Sequence, residues 1–218
     1  MKQFNQLKTK QRQLRAGFSE NLSLRVHRAL SWLQRSEACD DDPDGEFIFL
    51  WIAFNAAYAN DMDAQYRGSE LDASNRFLTR LCQLDPEQRL SALVWQQYPG
   101  PIRVLLDNQH VFQPFWDHLN GKPGSEQWQQ QFSEARHQAA KALSQQNTPR
   151  VLAIALQRIY TLRNQLVHGG ATWNSQLNRQ QLRDCCAILR SLVPIVIDIM
   201  MDNADQIWGD PFYPVVAS

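Results

Sequence analysis

The sequence predicts an all-α protein, a helical bundle with additional helices in its middle third. Apolar residues recur at helical spacing, and almost no segment alternates with the two-residue period of a strand. Helix punctuation is frequent: Asp85-Pro86, Thr148-Pro149 and Gly169-Gly170 each stand where a helix would begin or end. Ten Phe, seven Trp and five Tyr in 218 residues supply enough apolar surface for one sizeable core, which excludes disorder over the whole length.

In order along the chain, a basic N-terminal segment precedes a helix at 20–37, marked by Leu22, Leu24, Val26, Leu30 and Leu33. The acidic stretch CDDDPDGE breaks it. Phe47 to Tyr58 is nearly continuous in apolar residues, as suits a central helix buried on most sides; a buried strand competes for its first half, and the alanines from Ala53 onward favour helix. Helices are expected at 70–84 and 86–98, the second capped by Asp85 with Pro86 at its first position, where the missing donor costs little. YPGP at 98–101 and NGKPG at 120–124 read as turns, with one or two short aromatic helices between them. Residues 125–146 read as a longer polar helix. Thr148-Pro149 opens a helix that runs to His168, where Gly169-Gly170 ends it. A last helix is expected from about Asn178 to Asn203, with Pro194 kinking its interior. No internal repeat is present, so the chain reads as one helical domain, 1–218, elaborated at about 62–147.

Composition narrows the function classes. With 22 basic and 22 acidic side chains, recognition by bulk positive charge is excluded, although a local basic groove is not. Residues 1–35 hold eight Lys or Arg and one Glu, while 36–72 hold ten acids and Arg67. This asymmetry reads either as a basic surface that meets phosphates or as two solvated faces that attract each other or a partner. Cys39, Cys82, Cys185 and Cys186 lack metal-ligand spacing and read as reduced, space-filling thiols. His110, His118 and His137 form no compact ligand cluster, the acidic loop 40–46 departs from calcium-loop spacing, and no glycine-rich phosphate loop follows a strand; no metal and no cofactor is expected. The FIFLWIAFNAAYA run is too short for a membrane span, and no apolar signal follows the basic N-terminus, so a cytoplasmic protein without membrane contact is the expectation.

The helix before Gly169 carries the chemistry. At about 100° per residue, Leu152, Leu156, Ile159, Leu166 and Val167 share one arc, and Arg163 falls within it. A charge there requires either an ion pair with one of the acids or a cleft open to an anion. Asn164 and His168, four residues apart, share the adjacent edge, with Gln157 and Tyr160 close by. Asn55 is an isolated polar group in the apolar helix, either a core hydrogen-bonding residue or a support for the site; Tyr160 reads as core packing or as a group that stacks on a base.

Arg163, Asn164 and His168 in RNQLVH resemble the arginine, polar residue, three residues, histidine signature of the HEPN family of helical domains (higher eukaryotes and prokaryotes nucleotide-binding). FLWIAFNAAYA followed later by LRNQLVHGG is similar to the variety in which an aromatic-rich helix precedes the catalytic one. The resemblance covers mainly residues 20–60 and 148–202 and says little about 70–146. It implies a HEPN-like bundle and a metal-independent ribonuclease of toxin, defence or RNA-processing type. Arg163 would hold the scissile phosphate, His168 would act as general base or acid, and Asn164 would orient either. Because one histidine per chain cannot readily serve both steps, the resemblance also implies a homodimer that brings two motifs to one cleft, with RNA as substrate and an antitoxin or other protein as a further partner. Two other readings stay open: a catalytically silent HEPN-like protein that binds RNA or a partner, and a helical adaptor in which Arg163 makes a structural ion pair.

Overall fold

A computed structural model describes residues 3–58, 70–176, 178–206 and 208–209, and every regular element among them is helical. Ala59, at the end of the apolar run, and the start of the elaborated third near residue 62 lie outside the described residues.

The N-terminal basic segment forms a helix of its own, α1 (Gln3–Leu14), which buries Leu7 and Gln11 one turn apart. Its Lys10 Nζ lies 2.6 Å from both Asp198 and Asp202, so part of the basic charge is spent inside the fold, on the last helix. In α2 (Glu20–Ser36), Ser19 caps the first turn by accepting from Leu22 N, and Leu22, Val26, Ala29, Leu30 and Leu33 line the buried face. The apolar run folds as helix, α3 (Pro43–Tyr58), burying Phe47, Leu50, Trp51, Ala53, Phe54 and Ala57 with the rest half-buried. Arg25 is buried between these helices, its Nη1 donating to Ala57 O at 2.9 Å and its Nε to Gly209 O at 3.3 Å.

After α4 (Glu70–Gln83), two expectations are corrected. The helix placed at 86–98 begins three residues later, as the short α5 (Arg89–Ala92), and then widens into a π-helix over Leu93–Gln97. The cause is Asp85: its buried carboxylate accepts from Leu90 N at 2.8 Å and Arg89 Nε at 3.2 Å, so Pro86 and Glu87 sit in a turn and Gln88 adopts a left-handed conformation. The YPGP segment is not a turn. Pro99 opens α6 (Pro99–Leu106), where a proline in the first turn forfeits no helical hydrogen bond. A 3-10 turn (Gln109–Val111) and α7 (Gln113–Leu119) supply the short aromatic helices, and α8 (Trp128–Ser144) is the longer polar one.

In α9 (Thr148–Val167), the Asn147 side chain caps the first turn by accepting from Arg150 N. The final helix, α10 (Arg179–Asp202), carries Pro194 in its interior without interruption. Helices α2, α3 and α10 pack on one another, α1 lies along α10, and α9 is enclosed by α4, α6 and α8 while also touching α3. The buried apolar side chains form one continuous cluster that includes Leu78, Leu93, Ile102 and Ala139 of the middle third, so this third shares the core. No helix among the described residues is long and apolar enough to cross a membrane.

Candidate active site

The site is made by the way α9 stops. Gly169 N–H donates to Leu166 O at 3.2 Å and Gly170 N–H to Gln165 O at 2.7 Å, a double closure that satisfies carbonyls left over at the helix end. Gly169 takes a left-handed φ of 72°, which a side chain resists. A Cβ on Gly170 would lie 3.0 Å from Gln165 O, so the chain reverses here only with the glycine pair. Residue 168 is thereby held at the end of the helix, its N–H donating to Asn164 O at 3.0 Å and its imidazole exposed.

Beside this end lies a groove of about 470 Å³. Asn164, Gln165 and His168 form one wall, Gln113 and Trp116 of α7 with Asn120 just beyond it another, and Ser175, Asn178 and Arg179 a third. Two contacts fix the third wall. Buried Arg179 donates to Asp44 Oδ2 at 2.8 Å and, through Nε, to Ser175 O at 2.8 Å; Asn174 N donates to the same carboxylate at 3.1 Å. Trp173, exposed, reaches Asp42 Oδ1 at 3.1 Å. Three turns further along α10, Arg190 makes a two-pronged pair with Glu46 at 2.8 and 2.7 Å. The first turn of α3, through Asp44 and Glu46, therefore anchors α10, while Asp42 and Asp44 hold Trp173 and Asn174 of the 171–178 connection. On the opposite wall, Gln165 Nε2 donates to His110 O at 2.6 Å, as does Trp116 Nε1 at 2.7 Å.

The predicted residues are brought together in part. Asn164 and His168 line the groove, and Arg163 joins them by donating from Nη1 to Asn164 Oδ1 at 3.0 Å, but Arg163 is not itself a lining residue. The apolar arc drawn through Arg163 is corrected: Leu166 is half-buried, Val167 is 50% exposed, and Arg163 is half-buried with no carboxylate partner among the described residues. The arginine of α9 that the fold encloses is Arg158, only 2% exposed, lying over the rings of Phe112 at 4.4 Å and Phe132 at 5.8 Å. Burial pushes its pKa down to about 10, and its Nε has no hydrogen-bond partner among the described residues. The first four turns of α9 are covered on almost every side, and a wheel cannot separate the faces of a surrounded helix.

Tyr160 is 39% exposed and packs on Trp51, ring centroids 5.9 Å apart. Asn55 is half-buried one turn beyond Trp51, and neither it nor Tyr160 lines the groove. Sequence reasoning missed Trp116, Asn120, Asn178 and Arg179. Their only signals were the aromatic content of 102–119 and the NGKPG turn, neither of which points to the end of α9.

Among the described residues, no group of three or more His, Cys, Asp or Glu side chains is placed to hold a metal ion. Comparison with known proteins adds no assignment: no family model, no curated protein and no solved structure matches the chain.

Proposed function

We propose that this chain is a HEPN-like, metal-independent endoribonuclease that acts as a homodimer. The observation that carries the reading is Arg163, a half-buried guanidinium bonded to a neutral amide and, among the described residues, to no carboxylate, five residues before an exposed histidine at a glycine-closed helix end. A guanidinium so placed is suited to a phosphate, with several fixed donors for its oxygens. In the proposed reaction the 2′-hydroxyl of the RNA gives up its proton to His168 and attacks the adjacent phosphorus. The P–O5′ bond breaks, the leaving oxygen is protonated, and a 2′,3′-cyclic phosphate remains. Arg163 binds the non-bridging oxygens and stabilises the charge that grows on them. Asn164, its oxygen held by Arg163, orients that guanidinium.

The second proton transfer calls for a second imidazole. The exposed positions Gln157, Tyr160, Val167 and His168 follow one another along α9 on a stripe where a second copy of the helix would bring its own His168. The partners proposed are thus RNA, a second copy of the chain and, for a toxin or defence protein, a neutralising protein; the setting proposed is the cytoplasm.

Two paired substitutions test the chemistry. His168→Ala should leave the circular dichroism and subunit mass unchanged and lower cleavage by roughly 10² to 10⁴-fold. RNA with a single 2′-deoxy nucleotide at the scissile position should resist the parent protein there. Mass spectrometry should find the cyclic phosphate with the parent protein, chelator present, and with neither control. Equal cleavage by His168→Ala, or at the deoxy position, rejects the mechanism.

A further inference from the structure

Resting on the ribonuclease reading above, we infer that the groove beside His168 receives an unpaired nucleobase flanking the scissile phosphate, and hence that the substrate is single-stranded RNA. The argument begins with charge. The two oppositely charged groups on the groove wall, Asp44 and Arg179, are paired with each other at 2.8 Å, so neither is available to a ligand phosphate or cation. What the walls offer instead is carboxamide. No hydrogen bond among the described residues engages the side chain of Asn120 or of Asn178. The Asn164 oxygen accepts from Arg163, which leaves its Nδ2 as a donor; Gln165 donates to His110 O, which leaves its Oε1 as an acceptor. A carboxamide presents one donor and one acceptor side by side, the pattern that pairs with the edges of nucleobases. Trp116 completes the site: its N–H is already committed to His110 O, so what remains is an apolar ring surface.

A neutral, planar ligand with alternating donors and acceptors on its edge and a π face fits these walls, and a phosphate does not. The division of labour follows: Arg163, outside the groove, takes the phosphate, and the groove takes the base next to it. A base inside a duplex is stacked and paired, so it reaches a cavity only after leaving the stack. In single-stranded RNA that cost is small, which sets the substrate class.

The test uses one short RNA with a mapped cleavage position, offered single-stranded, annealed to its complement, and with each nucleotide in turn made abasic while its sugar and phosphates are kept. Cleavage should drop about tenfold or more for one abasic position flanking the scissile phosphate and for the annealed form. Asn120→Ala and Asn178→Gly, the latter retaining a residue that tolerates the left-handed φ of 57°, should each reduce cleavage of the intact RNA roughly threefold or more and lose most of the abasic penalty. Binding is measured separately, by anisotropy, with His168→Ala protein and 2′-O-methyl RNA, so that recognition is read without chemistry. Abasic-sensitive binding without any cleavage by the parent would keep the groove and overturn the nuclease reading. Cleavage with no abasic effect at any position, or equal cleavage of the duplex, overturns the groove and leaves the nuclease standing. No binding and no cleavage overturns both.

Discussion

Arg158→Met should leave the protein as stable as the parent or slightly more so. The drop in its pKa from the ordinary arginine range to about 10 corresponds to about 3 kcal/mol by which folding disfavours the charged form. Opposing this are the rings of Phe112 at 4.4 Å and Phe132 at 5.8 Å, which together return about 2 kcal/mol in a desolvated setting. Methionine removes both terms, keeps most of the stem volume and adds a sulfur contact to the rings of about 0.5 kcal/mol. The expected change is a gain of roughly 1 kcal/mol. Arg158→Ala leaves the stem volume empty instead and should lose about 2 to 5 kcal/mol. Urea unfolding at neutral pH, with unchanged slope, measures both. The sign of the pH effect also follows: the folded-state pKa lies below the unfolded value, so the penalty is constant below about 10 and is relieved as pH rises from there toward the ordinary arginine range. The parent should therefore gain on Arg158→Met in that window. A loss above about 3 kcal/mol for Arg158→Met would refute the reasoning, since it would mean that an anionic partner had been stranded.

Asp44→Leu should cost about 3 to 5 kcal/mol by leaving buried Arg179 without its carboxylate, measured by urea unfolding; a cost under 1 kcal/mol would contradict the anchoring of the 171–178 connection. Gly169→Ala should cost about 1 to 2 kcal/mol in the same assay, and should reduce RNA cleavage further than that loss of folded protein explains, because His168 is aimed by the turn that Gly169 permits. Burial pushes the Cys185 thiol up to about 12 and raises that of Cys186 as well, so a thiol reagent near neutral pH should modify these two only on unfolding; prompt native labelling of either would contradict the packing of α10. Equal mixing of exchanged parent and His168→Ala chains should leave about a quarter of parent activity if both imidazoles of a dimer are needed, and about half if each chain acts alone.

The sequence made the helical class and the end of α9 legible because both rest on local signals: periodic apolar residues, Pro149 at a first turn and the Gly169-Gly170 stop. It failed where long-range contacts decide. Helix α1 was invisible because Leu7 is its one buried apolar residue, and its place is secured by Lys10 reaching Asp198 and Asp202 almost the whole chain away. The start of α5 moved because the Asp85 carboxylate caps Leu90 rather than the residues just after Pro86. The exchange of Arg158 for Arg163 as the enclosed arginine has the same origin, since Phe112 and Phe132 of the middle third cover one side of α9 and no periodicity within α9 foretells which. Much of the groove was illegible too: two of its walls come from 113–120 and 171–179, and the second is held by Asp44, over a hundred residues upstream of it.

How the fold treats its arginines bears on what Arg163 is for. Arg179 and Arg190 have carboxylates from the first turn of α3, Arg89 has Asp85 and Asp198, Arg25 has backbone carbonyls, and Arg158 has aromatic faces. Each of these five charges has a partner on another element of the fold. Arg163 is engaged differently from these five: among the described residues its side chain donates to the amide of the next residue, and no carboxylate lies within ion-pair distance. In the proposed ribonuclease this guanidinium, aligned by Asn164, is the group that receives the phosphate of the substrate. In the same reading the groove takes the base: its charged pair is internally neutralised, the side chains of Asn120 and Asn178 are unengaged among the described residues, and the phosphate and the base of one nucleotide are assigned separate places on either side of the Asn164 side chain.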